Sequence, residues 1–358
     1  MDLVEFGWDE KFREKFSELE KKGFLPARVA SYSRMVYKLF SAQGEISGKL
    51  SGKFLMQCKN TGDYPAVGDW VAFKPIMFSG FVSIHGMLDR KSKFSRKSKG
   101  KFSGEQVIAA NIDTIFIVSG LDQEFNIRRL ERYVVLAAES NAEFSLILNK
   151  ADLCDDVESI IIKLNKLFLE IPVYAISALN NRGIEQLRRH IKPGETVVFI
   201  GSSGVGKSTI INLLLGEQRQ RTGHISDYDG RGRHITSSRD IILLPGGALV
   251  IDTPGLREIQ VLSSGEGVKS AFSDIEEISE KCKYKNCRHI NEQGCAVLEA
   301  VSEGVISENR LNNYRKLARE IEYNLSRHDA HIKNKRDKFW KKVSKQAKMI
   351  KKERLQGN

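Results

Sequence analysis

The order of two short motifs constrains the fold of this chain more than any other feature. Residues 201–208, GSSGVGKS, fit the phosphate-loop pattern G-x-x-x-x-G-K-[ST] between an apolar run, TVVFI, and a helical run, STIINLLL. Its glycines let backbone N–H groups turn toward phosphate oxygens, and the helix N-terminus adds a favourable dipole. Residues 149–152, NKAD, follow the apolar run FSLIL and look like a guanine-reading loop. The base-reading motif therefore precedes the phosphate motif.

The surrounding sequence predicts one sheet that carries both motifs. From about Asn111, continuous apolar runs such as IDTIFIV, FSLILN, PVYAIS, TVVFI and GALVID alternate with amphipathic segments. This alternation is typical of a parallel sheet covered by helices on both faces. Strand neighbours in a sheet need not be neighbours in sequence, and ends that lie close in space can be joined. A permuted order of motifs is therefore compatible with an α/β P-loop fold.

The phosphate loop and a later strand end supply the groups that phosphoryl chemistry needs. Lys207 is expected to reach the β- and γ-phosphates, and Ser208 to ligate Mg²⁺. Asp252 ends the strand GALVID and opens a D-T-P-G run, where its carboxylate can hold Mg²⁺ through water. The N–H of Gly255, in the same run, is expected to contact the γ-phosphate.

The NKAD motif predicts selectivity for guanine. The Asp152 carboxylate can accept hydrogen bonds from N1–H and N2–H₂ of guanine, a pattern that adenine does not present. Asn149 is expected to support the loop, and the Lys150 stem to lie along the base. Ser177-Ala178 resembles the companion loop whose amide contacts guanine O6. The full set of expected nucleotide-binding residues is Asn149, Lys150, Asp152, Ser177, Ala178, Gly201, Ser202, Ser203, Gly204, Val205, Gly206, Lys207, Ser208, Thr209, Asp252 and Gly255.

The chain has 358 residues, which exceeds the ~250–300 at which single cores stop growing, so two or three domains are expected. Residues 1–24 read as a helical extension. From Ala27 to about Leu88, short β-type runs are broken by glycine and proline, which predicts a small barrel of the OB type. No apolar run approaches the ~18 residues that cross a bilayer, and the N-terminus has no secretory pattern. A cytoplasmic protein without membrane association is expected.

Positive charge is concentrated at two places. The net charge is +12, and residues 310–358 hold 16 Lys/Arg against 5 Asp/Glu. A second run, residues 90–101, holds seven Lys/Arg and no acid. Each run alone is as readily explained by a solvated face or a solubilising loop. Two such runs flanking a nucleotide-binding unit favour RNA or DNA as a partner.

A cluster of cysteines and a histidine lies beyond the sheet. Cys282, Cys287, His289 and Cys295 fall within fourteen residues and offer three thiolates and one imidazole. Such a set suits a closed, structural Zn²⁺ site with no open position for catalysis. Cys58 and Cys154 are interpreted as ordinary half-buried residues.

Together these motifs resemble one family. The order of guanine loop, companion loop, phosphate loop and D-T-P-G, with a barrel ahead and a Cys/His module behind, looks like the ribosome small-subunit-dependent GTPase A family. GDWV at 68–71 and GRH at 232–234 add to the likeness. The resemblance implies GTP hydrolysis, one Mg²⁺ and one structural Zn²⁺ per chain, and binding to the small ribosomal subunit and its rRNA. A monomer is expected.

The resemblance also nominates groups for the water attack. Leu256 stands just after D-x-x-G, where many GTPases carry a glutamine, so His234 is nominated to act with Lys207 and Thr236 as the catalytic set. The metal ligands would be Ser208, Thr236 and Asp252. The family's G-R-H-T-T run here reads GRHIT, so Ile235 is a departure that bears on the register of Thr236.

The sequence thus predicts four regions: an N-terminal extension at 1–24, an OB-like barrel at 25–105, a circularly permuted GTPase domain at 106–265, and an α-helical zinc-binding domain with a basic tail at 266–358. The function that the resemblance implies is subunit-stimulated GTP hydrolysis in late maturation of the small subunit. One alternative is a P-loop ATPase or kinase, against which NKAD argues. The other is a non-enzymatic zinc-containing RNA-binding module.

Overall fold

The computed structural model describes residues 1–33, 35–97, 105–216, 240–252 and 265–328. The first region is a five-stranded barrel, closed in the order β1-β2-β3-β5-β4. Its strands are β1 Leu25–Ser33, β2 Val36–Ser41, β3 Gly44–Leu50, β4 Trp70–Pro75 and β5 Phe81–Met87, with helix α2 Gly52–Gln57 between β3 and β4. Only β3 and β5 pair in parallel, and the other pairs are antiparallel. The expected OB-like barrel is confirmed.

Alternation along the strands fills the barrel. Val29, Leu39, Phe73 and Ile84 point inward and are fully buried. A β-bulge between Val29 and Ser31 bends β1, so that one strand pairs with both β2 and β4. Closure removes the exposed sheet edges that would otherwise pair with other chains.

The N-terminal segment packs on the barrel. It contains a 3₁₀ turn, Leu3–Phe6, and helix α1, Glu10–Glu20. The indole of Trp8 meets that of Trp70 at a centroid distance of 4.5 Å. Arg28 is buried and donates to the carbonyls of Phe6, Gly68 and Asn111. This guanidinium therefore ties the N-terminal segment, the barrel and the start of the next region together.

Part of the first basic run belongs to a hairpin. Strand β6, Lys93–Lys97, pairs with β7, Glu105–Ala110, in an antiparallel two-stranded sheet. Three cations of the run form ion pairs: Arg90 with Asp69 at 2.7 Å, Lys91 with Asp113 at 2.6 Å, and Lys93 with Glu105 at 2.8 Å. Carboxylates of the fold partly neutralise these three cations, so less positive charge is available to bind a polyanion.

The second region is a six-stranded sheet in the order β10-β9-β8-β11-β13-β12. Its strands are β8 Thr114–Gly120, β9 Glu143–Asn149, β10 Val173–Ala175, β11 Thr196–Ile200, β12 Ile241–Leu243 and β13 Leu249–Ile251. Five of them are parallel, and β12 runs antiparallel to β13. Helices α3 Ile127–Ala138, α4 Val157–Leu167, α5 Ile184–His190 and α6 Lys207–Leu215 accompany the sheet.

The sheet explains how separated motifs meet. β11 pairs with β8 on one side and with β13 on the other, and β8 pairs with β9. Because these strands are parallel, their carboxyl ends lie at one edge. The segments that follow β9, β11 and β13 are the guanine-type loop, the phosphate loop and the D-T-P-G run, so all three begin at that edge.

The third region is helical, with α7 Glu266–Ala271, α8 Ser273–Ser279, α9 Ala296–Ser302 and α10 Glu308–His328. Phe272 and Ile275 are fully buried in the cluster that also contains residues of the sheet. The region carries the Cys/His cluster between α8 and α9. In the part of the chain that the structure describes, no helix is both long enough and apolar enough to span a bilayer.

Candidate functional site

The phosphate loop joins β11 to α6 as the motif predicted. Gly201, Gly204 and Gly206 have φ angles of 150°, 80° and 96°, in the region that favours glycine. A Cβ on Gly201 would lie 2.2 Å from the Val118 carbonyl oxygen, and one on Gly206 would lie 2.2 Å from the Asn149 side chain. Backbone conformation therefore favours glycine at all three positions, and close approach of neighbouring atoms also requires it at Gly201 and Gly206.

Lys207 begins α6 and folds back over the loop. Its Nζ donates to the carbonyls of Gly201 at 2.9 Å and Ser202 at 2.6 Å. Burial lowers the pKa of Lys207 to about 8, and the nearby Asp252 carboxylate opposes this shift. The amine of Lys207 is thus held at the loop, where the negative charge of a bound phosphate would strongly favour its charged form.

Asp252 reaches the same place from β13. The neighbouring strands β11 and β13 are paired through Val198 and Ile251, so Asp252 follows directly beside the start of the phosphate loop. Ser208 lies in the first turn of α6, next to Lys207. The structure thus brings Ser208 and Asp252 to one edge of the sheet. Thr236, His234 and Gly255 lie outside the described residues.

Asn149 connects the guanine-type loop to both neighbours. Its Nδ2 donates to the Val205 carbonyl at 2.8 Å, and its Oδ1 accepts from the Ala178 N–H at 2.9 Å. Asn149 is 3 % exposed, so both bonds are shielded from water. One amide therefore holds the phosphate loop, the NKAD loop and the companion loop in fixed relation.

The remaining NKAD residues have different surroundings. Lys150 adopts a left-handed conformation with φ of 62°, and its Nζ forms a 2.6 Å ion pair with Asp122. Burial raises the pKa of Asp122, but the Lys150 hydrogen bond and the Glu124 N–H outweigh it, and the net shift is downward. The Asp152 side chain is exposed at the end of the loop. Asp122, at the end of β8, was not foreseen from the sequence.

The companion loop is compact. Ser177 and Arg182 exchange two backbone hydrogen bonds, at 3.0 and 2.9 Å, and Ser177 Oγ accepts from the Asn180 N–H. Ser177 and Ala178 are both buried. The loop thus presents its backbone beside Asn149, as its predicted role requires.

A pocket of about 390 Å³ lies along the α3 side of the phosphate loop. It is lined by Ser202, Ser203 and Gly204 from the loop, and by residues of α3 and Lys150. Arg129 Nη1 donates to Ser202 Oγ at 3.1 Å, and the Tyr133 hydroxyl lies 3.4 Å from the same oxygen. Neither α3 residue was predicted, although their i, i+4 spacing places them on one face of that helix.

The Cys/His cluster forms as predicted. One ligand atom from each of Cys282, Cys287, His289 and Cys295 can be chosen so that all four lie within 4.8 Å of one another. His289 Nδ1 lies 3.7 Å from Cys282 Sγ and 3.4 Å from Cys295 Sγ, and these two sulfurs are 3.9 Å apart. The four side chains could hold a metal ion. Cys58 and Cys154 are half-buried free thiols outside this cluster, which confirms their predicted status.

Sheet order and loop placement define a P-loop GTPase fold with circularly permuted connectivity. The protein belongs to the RsgA GTPase family, whose sequence profile matches residues 87–262. A relative from Opitutus terrae, "Small ribosomal subunit biogenesis GTPase RsgA", is 41% identical over 352 residues, which cover 96% of each chain. A relative of the same description from Oceanobacillus iheyensis, RsgA 1, is 38% identical over 349 residues, covering 97% of this chain and 99% of the other.

Two solved structures share the fold. YjeQ from Thermotoga maritima superposes with a TM-score of 0.61 at 27% identity, over 83% of this chain and 98% of that one. YloQ, described as a circularly permuted GTPase, gives a TM-score of 0.58 at 22% identity, over 84% and 95% of the two chains.

Proposed function

We propose that this protein hydrolyses GTP to GDP and phosphate, that it binds the small ribosomal subunit, and that the subunit stimulates hydrolysis during late maturation. The observation that carries the proposal is the Asn149 side chain, which fastens a guanine-type loop to a phosphate loop. A P-loop ATPase or kinase has no need of that link. The relatives described as small ribosomal subunit biogenesis GTPases support the choice of partner.

The nucleotide is held by groups of known chemistry. N–H groups of residues 201–206 and the N-terminus of α6 cradle the phosphates, and Lys207 exchanges its two carbonyl partners for β- and γ-phosphate oxygens. The Asp152 carboxylate accepts two hydrogen bonds from guanine, and the backbone of the companion loop at Ser177-Ala178 lies against O6, with the Ala178 N–H shared between the base and Asn149 Oδ1. Ion pairing with Asp122 keeps the Lys150 stem at the position expected for stacking against the base.

The residues fit a magnesium ion. Ser208 and Asp252 lie at one edge of the sheet, and their hydroxyl and carboxylate oxygens are ligands that Mg²⁺ prefers. With Thr236 they would hold the ion, which when bound neutralises charge on the phosphates. His234 orients the attacking water, since Leu256 has no group that can do so. Lys207 stabilises the charge that develops on the transferred phosphoryl group.

The Cys/His cluster fits a structural zinc ion. Zn–S and Zn–N distances of about 2.3 and 2.1 Å place tetrahedral ligands about 3.6–3.8 Å apart. The separations among Cys282, His289 and Cys295, 3.4–3.9 Å, match this spacing, and Cys287 lies within 4.8 Å of the other three. All four positions would be taken by the protein, so the ion would stabilise the fold and supply no catalysis.

The partner surface combines several regions. The barrel has the fold of oligonucleotide-binding modules. Lys281, Lys283, Lys285 and Arg288 interleave the cluster ligands, and the basic tail beyond residue 328 adds further cations outside the described residues.

The proposed regions of the chain are 1–24, 25–105, 106–265 and 266–358. The boundary at residue 105 falls at the start of β7, which pairs with β6. The protein acts in the cytoplasm, as a monomer.

The test is steady-state GTP turnover of the full chain, alone and with purified small or large ribosomal subunits. We expect small subunits to accelerate phosphate release at least tenfold and large subunits to have no such effect. Equal rates in all three conditions would remove the assigned partner. His234→Ala should lower kcat by about 10²-fold or more while GTP affinity stays nearly constant, and Arg188→Ala, an exposed substitution in α5, serves as the control.

A further inference from the structure

Helix α3 contacts the phosphate loop with one face and the C-terminal helices with another. Arg129 and Tyr133, at i and i+4, point toward Ser202. Arg128 and Arg132, also at i and i+4, point toward α10, where they bond Asn309 and Glu320. Helix α3 therefore lies directly between the phosphate loop and the helical region that carries the Cys/His cluster.

Ser202 connects Arg129 to Lys207, the predicted catalytic lysine. Ser202 accepts a 3.1 Å hydrogen bond from Arg129 on its hydroxyl and a 2.6 Å hydrogen bond from Lys207 on its carbonyl. Arg129 Nη1 also lies 3.7 Å from the Glu124 carboxylate, which is a longer and weaker contact. Displacement of Arg129 would therefore act on Ser202 and, in the nucleotide-free protein, through Ser202 on Lys207.

The opposite contact is a buried ion network. Glu131 of α3 and Arg310 of α10 are 2 % and 5 % exposed and pair at 2.6 Å. Arg310 also pairs with Asp274 of α8 at 2.7 Å and donates to the carbonyls of Leu167 and Ala271. Removing one partner of a buried pair is strongly destabilising, because a charge is left without compensation. This network fixes α3 to the helical region with little freedom.

A close backbone contact adds to that attachment. A Cβ placed on Gly267 of α7 would lie 2.3 Å from the Val135 carbonyl of α3, and the Gly267 N–H donates to Glu139 at 2.7 Å. Such contact excludes sliding of α7 over α3 without repacking. A shift of the C-terminal helices is therefore expected to carry α3 with it.

The geometry points to Arg129 as a positioning residue of the hydrolytic site, because it holds Ser202 of the phosphate loop. Through α3, the position of that loop depends on how α7, α8 and α10 pack. This inference rests on the proposed GTP binding and adds a route by which nucleotide binding would reach the C-terminal helices.

The test is amide hydrogen exchange on the full-length protein, nucleotide-free and saturated with Mg²⁺ and a non-hydrolysable GTP analogue. In the unmodified protein, nucleotide should change the exchange of residues 308–323 in α10. In Arg129→Ala and Ser202→Ala this nucleotide-dependent change should shrink by about threefold or more, since one charge-assisted hydrogen bond is lost. Arg129→Lys, which retains a donor, should restore most of it.

A matched control separates positioning from general damage. Arg188→Ala removes a side chain of similar exposure from α5, 44% against 45% for Arg129. It should keep the full response in α10. A full response in Arg129→Ala and Ser202→Ala, or no response in the unmodified protein despite measured saturation, would overturn the inference. Failure to bind the analogue at all would overturn the proposed function as well.

Discussion

Asn149 Nδ2 and the Val205 carbonyl are joined by a 2.8 Å hydrogen bond across 56 positions of the chain. The same amide accepts from the N–H of Ala178, which lies 29 positions further along from Asn149. Contact between these loops is set by the parallel strands β9, β10 and β11, and their order in sequence is immaterial to it. This is why the guanine-type motif can precede the phosphate motif without loss of the site.

Removing the side-chain amide of Asn149 should both weaken nucleotide binding and lower the stability of the fold. In Asn149→Ala the Val205 carbonyl and the Ala178 N–H are left buried without partners, at a cost of about 1–3 kcal/mol each. We expect a lower thermal midpoint and at least tenfold weaker GDP binding, measured by scanning calorimetry and titration. Asn180→Ala, on an exposed position of the companion loop, should change neither. Unaltered GDP affinity in Asn149→Ala would contradict the role of the link.

Asp152 should decide which base is bound. In Asp152→Asn the side chain offers one donor in place of one acceptor, so guanine loses hydrogen bonds to a charged group and GTP affinity should fall about 10²-fold or more. Xanthosine triphosphate presents a carbonyl at C2, which the new amide can satisfy, and its affinity should rise. Competition assays with both nucleotides measure the exchange. If the variant still prefers guanine, the base is read elsewhere.

Lys207 should make nucleotide binding depend on pH. Burial lowers its pKa to about 8 in the nucleotide-free protein, whereas bound phosphate favours the charged form. Binding above pH 8 must therefore be accompanied by proton uptake, and GTP affinity should fall as pH rises from 7 to 9. Lys207→Arg, which stays charged, should show a flatter profile. Identical profiles for the two proteins would show that Lys207 is already charged at pH 9.

The same group should act in the opposite direction on folding. The ordinary pKa of lysine is 10.5, so between about pH 8 and 10.5 the unfolded chain binds more protons than the folded one. The contribution of Lys207 to the free energy of unfolding of the nucleotide-free protein should therefore rise with pH in that window. Denaturant unfolding at pH 8 and pH 10, compared with Lys207→Arg, measures this contribution. If the free energy of unfolding changes equally with pH in the two proteins, the prediction is contradicted.

The Cys/His cluster should carry one zinc ion that stabilises the helical region. Cys282→Ser removes one ligand, and we expect loss of bound zinc and faster exchange of amides in α8 and α9. Cys58→Ser, at a half-buried cysteine outside the cluster, should retain one zinc per chain. Elemental analysis and hydrogen exchange provide the two readouts. A variant that keeps stoichiometric zinc would show that Cys282 is not a ligand.

Local sequence patterns predicted the parts of the site whose geometry is local. The phosphate loop, the strand before it and the spacing of the cysteines each need only nearby residues. Asp122 and Arg129 were missed because their importance comes from contacts with Lys150 and Ser202, which depend on the packing of β8 and α3. The ion pairs of Lys91 and Lys93, in the basic run at 90–101, were missed for a related reason, since their partners Asp113 and Glu105 lie beyond the run itself.

The barrel shows the same division between local and long-range information. Short β-type runs marked its strands, but the burial of Arg28 follows from three carbonyls contributed by distant segments. Nothing near Arg28 in sequence distinguishes it from an exposed cation. Its pKa is lowered by burial to about 10, which reflects surroundings that only the folded chain creates.

The most direct test of the account is a binding titration of the full chain with GDP and ADP in the presence of Mg²⁺. If NKAD, the companion loop and the phosphate loop form one site, one GDP should bind per chain, GTP should displace it, and Asp152→Asn should weaken it. ADP should bind at least about 10²-fold more weakly. Equal affinity for ADP and GDP, or GDP binding that Asp152→Asn leaves unchanged, would contradict the central claim.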